Sequence, residues 1–329
     1  MSELVTLQTY LGTWAGSDAA RKAVAETVTA IAEAGIGIAE LVARGPLEEG
    51  LARIRGTDPN AGGDAQKELD VVAEERIRAA LLPTPAAFLA SEESEELIPL
   101  NPRGRLVVAV DPLDGSSNID TNVSVGTIYS ILPYDPAVHA DPVSAVMRPG
   151  VNQVAAGFLA YGPATILVAT FGEGTQVFVH DRRSGDFVLA RAAVEIPVET
   201  KEYGVNQSNA RQWHAPMRRY VEDCLAGKEG PRGKDFNMRW VGSMVADAFR
   251  IFTRGGVYVY PGDKRKGYEN GRLRLIYEAN PVAFLVEQAN GGATDGTTRI
   301  LDITPHHIHQ RIPLVFGSKA EVEKIASYY

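Results

Sequence analysis

Apolar residues recur at near-helical spacing in an alanine-rich segment near the start of the chain. Between residues 19 and 44 these positions are Val24, Val28, Ile31, Ile38, Leu41 and Val42. The spacing predicts a helix over 19–44, with Gly35 and Gly37 as weak positions. A connection rich in Gly, Asp and Asn is expected at 56–64. A second helix is predicted over 65–82, ending before Pro83.

From residue 86 to about residue 190, the pattern changes to apolar runs of strand length. These runs are RLVVAV, VSVGTIYSILPY, QVAAGFLAYG and ATILVATF. Each is long enough for one strand of a buried sheet and too short for a typical helix. The segment TQVFVHDRRSGDFVLA predicts a hairpin whose turn contains Ser184 and Gly185.

The polar stretch at 192–210 is the predicted domain boundary, between an N-terminal half, 1–195, and a C-terminal half, 196–329. Beyond it, VADAFRIFTR and PVAFLVEQANGG predict helices, and VYVYP and RLRLIYE predict strands. The last helix has Asn280 as its expected N-cap and Pro281 as its first residue. The predicted fold class is therefore mixed α/β.

Composition narrows the range of partners. The 329 residues carry a formal net charge of −8, and no basic stripe is evident, so nucleic acid is not expected as a partner. Cys224 is the single cysteine, so no disulfide is possible within one chain. No signal peptide or membrane-spanning run is recognised, and a soluble, cytoplasmic protein is expected.

Two aspartates stand at the exit of a predicted buried strand, in the sequence VVAVDPLDGSSNID. Asp111 and Asp114 are separated by Pro112 and by Leu113, whose carbonyl oxygen can turn outward. Carboxylate and carbonyl oxygens form a ligand set that suits Mg²⁺ or Mn²⁺. The turn that follows offers backbone N–H groups and hydroxyls to an anion. A plain Asp-Gly turn capped by serines explains the same residues, and that alternative stays open.

Further carboxylates end other predicted strands. Glu92 and Glu93 directly follow the apolar run AAFLA, and Glu278 ends RLRLIYE. Glu95 and Glu96, by contrast, are expected in a solvated loop. Carboxylates that converge from several strands raise one another's pKa unless cations compensate them. This pattern favours a metal site over separate polar turns.

The segment DPLDGSSNID resembles the metal-binding signature of class I fructose-1,6-bisphosphatases, within the lithium-sensitive, metal-dependent phosphatase superfamily. QKELDVVAEE, RWVGSMVAD, GRLRLIYEANP and DITPHHIHQR are similar to the same family and occur in its order. The resemblance spans about residues 15–325. It implies a layered αβαβα sandwich and hydrolysis of the 1-phosphate of fructose 1,6-bisphosphate, in gluconeogenesis or the Calvin cycle. Sedoheptulose 1,7-bisphosphate is a plausible second substrate.

The resemblance also implies roles for individual residues. Two or more Mg²⁺ ions would be held by Glu92, Asp111, the Leu113 carbonyl, Asp114 and Glu278. Asp70 and Glu93 would take the proton of the attacking water, with Asp64 beside them. The reacting phosphate would contact residues 114–117, which are Asp114, Gly115, Ser116 and Ser117. The remaining sugar and phosphate contacts would be Asn206, Arg239, Met244, Tyr260, Arg272 and Arg274.

Arg239 matches an arginine that reaches a neighbouring subunit's substrate, which implies at least a dimer, and the resemblance to the family implies a homotetramer. Other interpretations remain for single residues: an exposed Asp70, a core Tyr260, and Arg272 and Arg274 on a solvated strand edge. For the whole chain, the alternatives are an inositol- or nucleotide-phosphate phosphatase of the same superfamily and a non-catalytic sugar-phosphate sensor.

This chain departs from the family at several ligand contacts. Trp240 and Asn209 stand where tyrosines that contact phosphate are common, and Arg272 replaces a more usual lysine. Many members bind the inhibitor AMP through threonines near the N-terminus and a Lys-Tyr pair. Here the corresponding segment is AGSDAARKAV, the pair is replaced by residues 105–106 (Arg-Leu), and Pro133 replaces an arginine. Insensitivity to AMP is therefore expected.

Overall fold

The computed structural model describes residues 4–47, 54–59, 65–139 and 141–329. Within these ranges the helices are α1 (Leu7–Ala15), α2 (Ala19–Arg44), α3 (Glu68–Leu81), α4 (Pro142–Val146), α5 (Ala215–Leu225), α6 (Met244–Arg254), α7 (Asn280–Gln288) and α8 (Lys319–Ala326). The strands are β1 (Ile54–Pro59), β2 (Ala65–Lys67), β3 (Ala86–Ser91), β4 (Ile98–Pro99), β5 (Leu106–Asp114), β6 (Val125–Pro133), β7 (Ala155–Tyr161), β8 (Thr165–Thr170), β9 (Thr175–Asp181), β10 (Asp186–Arg191), β11 (Glu202–Val205), β12 (Asn237–Met238), β13 (Val257–Tyr260), β14 (Leu273–Arg274), β15 (Gly292–Thr294), β16 (Arg311–Ile312) and β17 (Leu314–Gly317).

Two sheets form the frame of the molecule. The larger sheet has eight strands in the order β10-β9-β8-β7-β6-β5-β3-β4, and only its β3–β5 pair is parallel. The smaller sheet has the order β12-β11-β13-β17-β15, in which β11 runs parallel to both of its neighbours. The predicted hairpin is confirmed as the β9–β10 pair, and Gly185 in its turn has φ +82°.

Both faces of the larger sheet are buried, as the alternating side chains of strand β7 illustrate. Phe158 and its even-numbered neighbours face α6, α7 and the smaller sheet. Leu159 and its odd-numbered neighbours face α1, α2 and α3. Successive side chains of a strand point to opposite faces, so one apolar strand contributes to two cores. This explains why β7 is apolar throughout rather than alternating.

The outer face of the smaller sheet is covered by the two remaining long helices. Val205, Val257 and Val315 of that sheet pack with Tyr220 of α5 and Ile325 of α8. The layers are therefore helices, eight-stranded sheet, helices, five-stranded sheet and helices. The predicted αβαβα sandwich is confirmed.

Helix α2 continues through the two glycines that were expected to weaken it. A Cβ atom at Gly35 would lie 2.3 Å from Leu159 Cδ2, so a larger residue would force the Leu159 side chain or the helix to move. Val28, Ile31 and Ile38 are buried along the same face of the helix. Packing against the sheet therefore outweighs the low helix propensity of glycine.

Two sequence predictions about local structure near Glu278 were wrong. RLRLIYE forms a strand only at Leu273–Arg274, and Leu275–Ala279 is a π-helical turn that continues into α7. Asn280 is therefore the first residue of α7 and not its N-cap. The main-chain carbonyl of Asn280 accepts a hydrogen bond from Gln153 Nε2 at 3.0 Å. The run is buried on every side, and burial of this kind does not distinguish strand from helix in a sequence.

The other differences concern boundaries. The second predicted helix begins at Glu68, because Ala65–Lys67 pairs with Ile54–Pro59 as strands β2 and β1. Positions 56–59 of the expected connection thus belong to a strand, and residues 60–64, including Asp64, lie outside the described residues. The larger sheet ends at Arg191 and the smaller begins at Glu202. The division into halves at residue 195 stays a prediction. Within the described ranges, no helix has the length and apolarity needed to cross a bilayer.

Candidate active site

An irregularity in β5 brings its two aspartates to the same side. The pairing of β5 with β6 shifts between Asp111 and Asp114, which lie opposite Ile128 and Gly126. In a regular strand, residues three apart point to opposite faces, and a bulge of this kind re-aims one of them. The Leu113 N–H donates to Asp111 Oδ1 at 3.0 Å, and the Thr127 hydroxyl donates to the Pro112 carbonyl at 2.8 Å. These bonds hold the irregular backbone in place.

Asp111, Asp114 and Glu278 form a buried carboxylate cluster. One oxygen atom of each residue lies within 4.8 Å of the other two. Among the residues that the structure describes, this is the one group of three metal-ligating side chains that meet so closely. All three are at most 6% exposed. Three carboxylates at this separation can share a hard divalent cation.

Glu92 and Glu278 reach the cluster by different routes. Glu92 follows β3, and its N–H donates to the Val110 carbonyl of β5 at 3.0 Å, which places it beside Asp111. Glu278 lies in the π-helical turn, and its carboxylate accepts the N–H of Arg274. Arg274 Nη1 lies 3.3 Å from Glu92 Oε1. One buried guanidinium therefore offsets part of the negative charge of the cluster.

The electrostatics of the cluster favour a bound cation. Burial raises the pKa of Asp111 well above its usual range, and the charges of Glu92 and Glu278 raise it further. Burial likewise raises the pKa of Asp114 to about 7, although the Val245 N–H stabilises its charged form. For Glu278, burial and then Glu92 raise the pKa. The raised pKa values mean that the buried, mutually repelling charged forms are disfavoured without a counter-charge, and a divalent metal would supply that charge.

The raised pKa values of the cluster predict how the stability of the metal-free protein depends on pH. The folded-state pKa values of the cluster lie above the unfolded ones, so its stabilising contribution is present below about pH 4 and is lost as pH rises. We expect Asp111→Asn to melt roughly 2–4 °C above the wild type at about pH 7.5 in chelator. The difference should shrink as pH falls towards about 4. A variant less stable than the wild type at about pH 7.5 would contradict this.

The hydroxyl-rich turn lies directly beside the cluster. Gly115 has φ +76°, a conformation that favours glycine, and a Cβ atom there would lie 3.1 Å from Ser243 Oγ, so the space is also tight. Ser116 is half-buried and Ser117 is exposed at the start of a six-residue 3₁₀ turn. Both serines are therefore at least partly accessible next to the carboxylates. An anion such as phosphate suits this position.

Asp70 borders the same turn from helix α3. It is 3% exposed, so the interpretation of an exposed Asp70 is wrong. Its carboxylate accepts the Lys67 N–H at 2.7 Å. Burial raises the pKa of Asp70 to about 6, and a hydrogen bond from Ser116 acts in the opposite direction. Glu93 is half-buried after β3, and its charge contributes to the raised pKa of Asp111.

The N-terminus of α6 joins the two sheets at the site, a feature that sequence reasoning missed. The Val245 N–H donates to Asp114 Oδ2 at 2.9 Å, and Ser243 Oγ lies 3.5 Å from the same atom. Asp247 accepts the N–H groups of Val241 and Gly242 through its carboxylate. Asn118 Nδ2 donates to the Gly242 carbonyl at 2.9 Å. The serine before an apolar helical segment was the one sequence signal for this contact.

The residues predicted to contact sugar and phosphate come mainly from the smaller sheet. Asn206 follows β11 and Tyr260 ends β13, so the two lie at the same edge of a parallel pair. Arg239 is exposed beside them, and its N–H donates to the Tyr203 carbonyl at 2.8 Å. The Met244 side chain is buried in the core, which leaves its main chain for any ligand contact. Tyr260 packs against that core at its margin, so both interpretations of it stand.

Arg272 and Arg274 lie on the chain that enters the π-helical turn. Arg274 is 4% exposed and contacts Glu92, so its interpretation as a solvated edge residue is wrong. Arg272 is half-buried, and its guanidinium carbon lies 5.0 Å from the centre of the Tyr268 ring. Trp240 stacks on Tyr258 with the ring centres 5.3 Å apart. Arg272 and Arg274 thus form an arginine-lined wall, of which Arg274 contacts the carboxylate cluster through Glu92.

A five-layer sandwich with buried carboxylates beside a hydroxyl-rich turn has the arrangement of a metal-dependent phosphatase. Residues 18–192 match the family described as the N-terminal domain of fructose-1-6-bisphosphatase, and residues 196–329 match its C-terminal domain. The chain belongs to the class 1 fructose-1,6-bisphosphatase family. It is accordingly an enzyme of the phosphoric monoester hydrolase type.

Individual relatives are similar over their whole length. The chain is 88% identical to fructose-1,6-bisphosphatase class 1 2 of Xanthobacter autotrophicus and 71% identical to fructose-1,6-bisphosphatase class 1 of Azorhizobium caulinodans, each over 329 residues and 100% of both chains. The crystal structure of Leishmania major fructose-1,6-bisphosphatase in holo form superimposes with a TM-score of 0.91. That match has 34% identity and covers 99% of each chain.

Proposed function

We propose that this enzyme hydrolyses the 1-phosphate of fructose 1,6-bisphosphate, giving fructose 6-phosphate and phosphate, and that it needs Mg²⁺ to do so. The observation that carries the proposal is the buried cluster of Asp111, Asp114 and Glu278 beside the turn at Gly115. The similarity to named fructose-1,6-bisphosphatases over the full chain supports the choice of substrate.

The donor set fits two or more Mg²⁺ ions, and Mn²⁺ suits the same oxygen ligands. The residues that would hold them are Glu92, Asp111, Asp114 and Glu278, with the Leu113 carbonyl. When bound, such ions supply Lewis-acid activation of water and charge stabilisation for a leaving oxygen. Arg274 contacts Glu92 in the described structure, and it would orient that carboxylate towards the cluster.

The remaining residues at this end would act on the phosphate and the proton. Gly115, Ser116 and Ser117 would bind the reacting phosphate through N–H groups and hydroxyls. Asp70, with a pKa of about 6, is mostly ionised near neutral pH and would accept a proton, with Glu93 assisting. Asp64 would sit beside these catalytic residues, as its place in the motif implies, although it lies outside the described residues.

The other end of the substrate would be bound by the smaller sheet and the arginine-lined wall. Asn206, Tyr260, Arg272 and the Met244 main chain would contact the sugar and its second phosphate, with Arg274 between the two ends. Arginine suits this role because its planar group holds phosphate oxygens in pairs. Trp240 replaces a phenol donor at this end, which supports sedoheptulose 1,7-bisphosphate as a second substrate.

Arg239 would act across a subunit interface. It is exposed, and its neighbours Met238 and Val241 are exposed apolar residues, 41% and 44% respectively. Such residues are suited to burial against another subunit. We therefore propose a homotetramer in which Arg239 reaches the partner's second phosphate. A cytoplasmic location is proposed from the composition of the sequence.

A substrate panel tests the proposed function. We expect kcat/KM for fructose 1,6-bisphosphate to exceed that for inositol 1-phosphate by at least about 100-fold, because the second phosphate orients the first. Sedoheptulose 1,7-bisphosphate should fall between them. A preference for inositol or nucleotide monophosphates would favour the alternative phosphatases. Binding of the bisphosphate without turnover would favour the sensor.

We also predict that AMP does not regulate this enzyme. Arg105, Leu106 and Pro133, with the start of α2, line a cleft of about 820 Å³, and Trp14 and Phe171 line it too. This chain lacks several contacts that AMP-binding relatives make, each worth about 1–3 kcal/mol. Their loss is expected to weaken the binding of AMP by orders of magnitude. Activity should therefore be unchanged by about 1 mM AMP. Half-inhibition at micromolar AMP would contradict this. Dithiol reductants should also leave the activity unchanged, because Cys224 is the chain's one cysteine and has no partner for a disulfide within the chain.

A further inference from the structure

Tyr268 lies between two arginines in the loop that leads from β13 to β14. The guanidinium carbons of Arg265 and Arg272 lie 4.3 Å and 5.0 Å from the centre of its ring. Both distances are within the range of cation–π attraction. The ring therefore restrains two flexible cationic side chains at one place.

The backbone of Tyr268 is fixed at several points. Its carbonyl oxygen accepts the N–H groups of Asp263 and Gly271, each at 3.0 Å, and its own N–H donates to the Arg265 carbonyl at 3.0 Å. Earlier in the loop, the Lys264 N–H donates to the Gln212 carbonyl at 3.1 Å. These bonds close the loop on itself and attach it to the neighbouring segment. The ring consequently has a defined position rather than that of a mobile surface side chain.

Arg265 is held by a buried anchor. Asp263 is 3% exposed, and its carboxylate accepts the Arg265 side-chain Nε–H at 3.0 Å and the Arg265 backbone N–H at 2.9 Å. Hydrogen bonding from Arg265 holds the pKa of Asp263 below its usual range, so the anchor is charged near neutral pH. The order of contacts runs from Asp263 to Arg265, to the Tyr268 ring, and then to Arg272.

The last member of this series belongs to the wall of the active site. Arg272 lies two residues before Arg274, whose guanidinium contacts Glu92 of the carboxylate cluster. Burial raises the pKa of the Tyr260 phenol, and the charges of Arg272 and Arg265 act against that rise. Two guanidinium groups thus meet at one tyrosine ring, and one of them, Arg272, is two residues from the arginine that contacts the cluster. Their donors suit a phosphate dianion.

We propose that Tyr268 is a positioning residue, which holds the Arg272 guanidinium ready for the phosphate at the non-reacting end of the substrate. The inference rests on the proposed function, since it takes that phosphate from the sugar bisphosphate. An arginine side chain has many rotamers, and fixing one of them before binding lowers the ordering cost of the complex. Tyr268 therefore affects substrate affinity through Arg272 and does not touch the reacting atoms.

The test compares Tyr268→Ala with Tyr268→Phe, which keeps the ring and removes only the hydroxyl. We expect Tyr268→Ala to raise KM for fructose 1,6-bisphosphate roughly tenfold, with kcat within about twofold of the wild type. Inhibition by fructose 6-phosphate should weaken by a similar factor, whereas inhibition by inorganic phosphate should not change. Tyr268→Phe should behave like the wild type. Melting temperatures should agree within about 2 °C for the three proteins.

A double-mutant cycle separates positioning from a general effect on the loop. In an Arg272→Ala background, the further change Tyr268→Ala should leave KM unchanged within about twofold, because its effect is exerted through the missing arginine. A tenfold loss in that background, a fall in kcat without a change in KM, or failure of phenylalanine to restore affinity would overturn the inference. A wild-type enzyme without bisphosphatase activity would instead overturn the proposed function.

Discussion

Replacing Asp111 by asparagine is expected to lower kcat by at least about a thousandfold at saturating substrate and Mg²⁺. The carboxylate lies within 4.8 Å of those of Asp114 and Glu278, and its loss removes one of the charges that hold a cation. Glu92→Gln should have a similar effect, because Glu92 borders the same cluster and pairs with Arg274. Initial rates of phosphate release measure both effects.

Glu95→Gln is the matched control for these variants. Glu95 lies in the same acidic segment as Glu92 but is exposed, as the sequence predicted. The rate of phosphate release by Glu95→Gln should therefore stay within about twofold of the wild-type rate. Circular dichroism should show that all three variants are folded, because removing an acid from the cluster relieves repulsion when no metal is bound. Near wild-type turnover in both cluster variants would refute the metal-site assignment.

Mixing two inactive variants is expected to restore activity if Arg239 acts across an interface. Arg239→Ala should reduce kcat/KM by at least about a hundredfold, through loss of a charged contact to phosphate. Asp114→Asn should be inactive at its own site while still supplying Arg239 to its partner. Random pairing at equal amounts makes half of the pairs mixed, each with one complete site. About a quarter of wild-type activity should return.

Arg183→Ala provides the control for mixing. This arginine is exposed in the β9–β10 turn of the larger sheet, away from Arg239 in the smaller one. Combined with Asp114→Asn, it should give about half of the wild-type activity, without any restoration beyond its own intact sites. No recovery in the Arg239→Ala mixture, or a fully active monomer in sedimentation, would contradict action across subunits.

The parts of the fold that the sequence predicted are those in which local pattern and burial agree. The period of Val24, Val28 and Ile31 matches the buried face of α2, and the apolar runs match strands buried on both sides. Residues at strand exits also followed from the pattern, because Glu92 follows β3 and Asp114 ends the neighbouring β5. These signals need only a few consecutive residues.

The parts that the sequence missed depend on contacts between distant segments. The irregular pairing of β5 places Asp111 and Asp114 on one side, and this pairing depends on hydrogen bonds from Thr127 and Leu113. The π-helical turn at Leu275–Ala279 is fully buried, so no periodicity distinguished it from a strand. The contact between the α6 N-terminus and Asp114 joins residues more than a hundred positions apart. Contacts between such distant positions give no signal in the local sequence pattern.

The proposed role of the buried carboxylates in metal-dependent hydrolysis is tested most directly by returning Mg²⁺ to enzyme that has been stripped of metal. The substrate is fructose 1,6-bisphosphate, and phosphate release is the readout. We predict no measurable release until Mg²⁺ is added, followed by release of one phosphate per sugar with fructose 6-phosphate as the other product. Phosphate release at the full rate from the stripped enzyme, or removal of both phosphates, would contradict the proposal that the buried carboxylates hold the cations that act at the 1-phosphate.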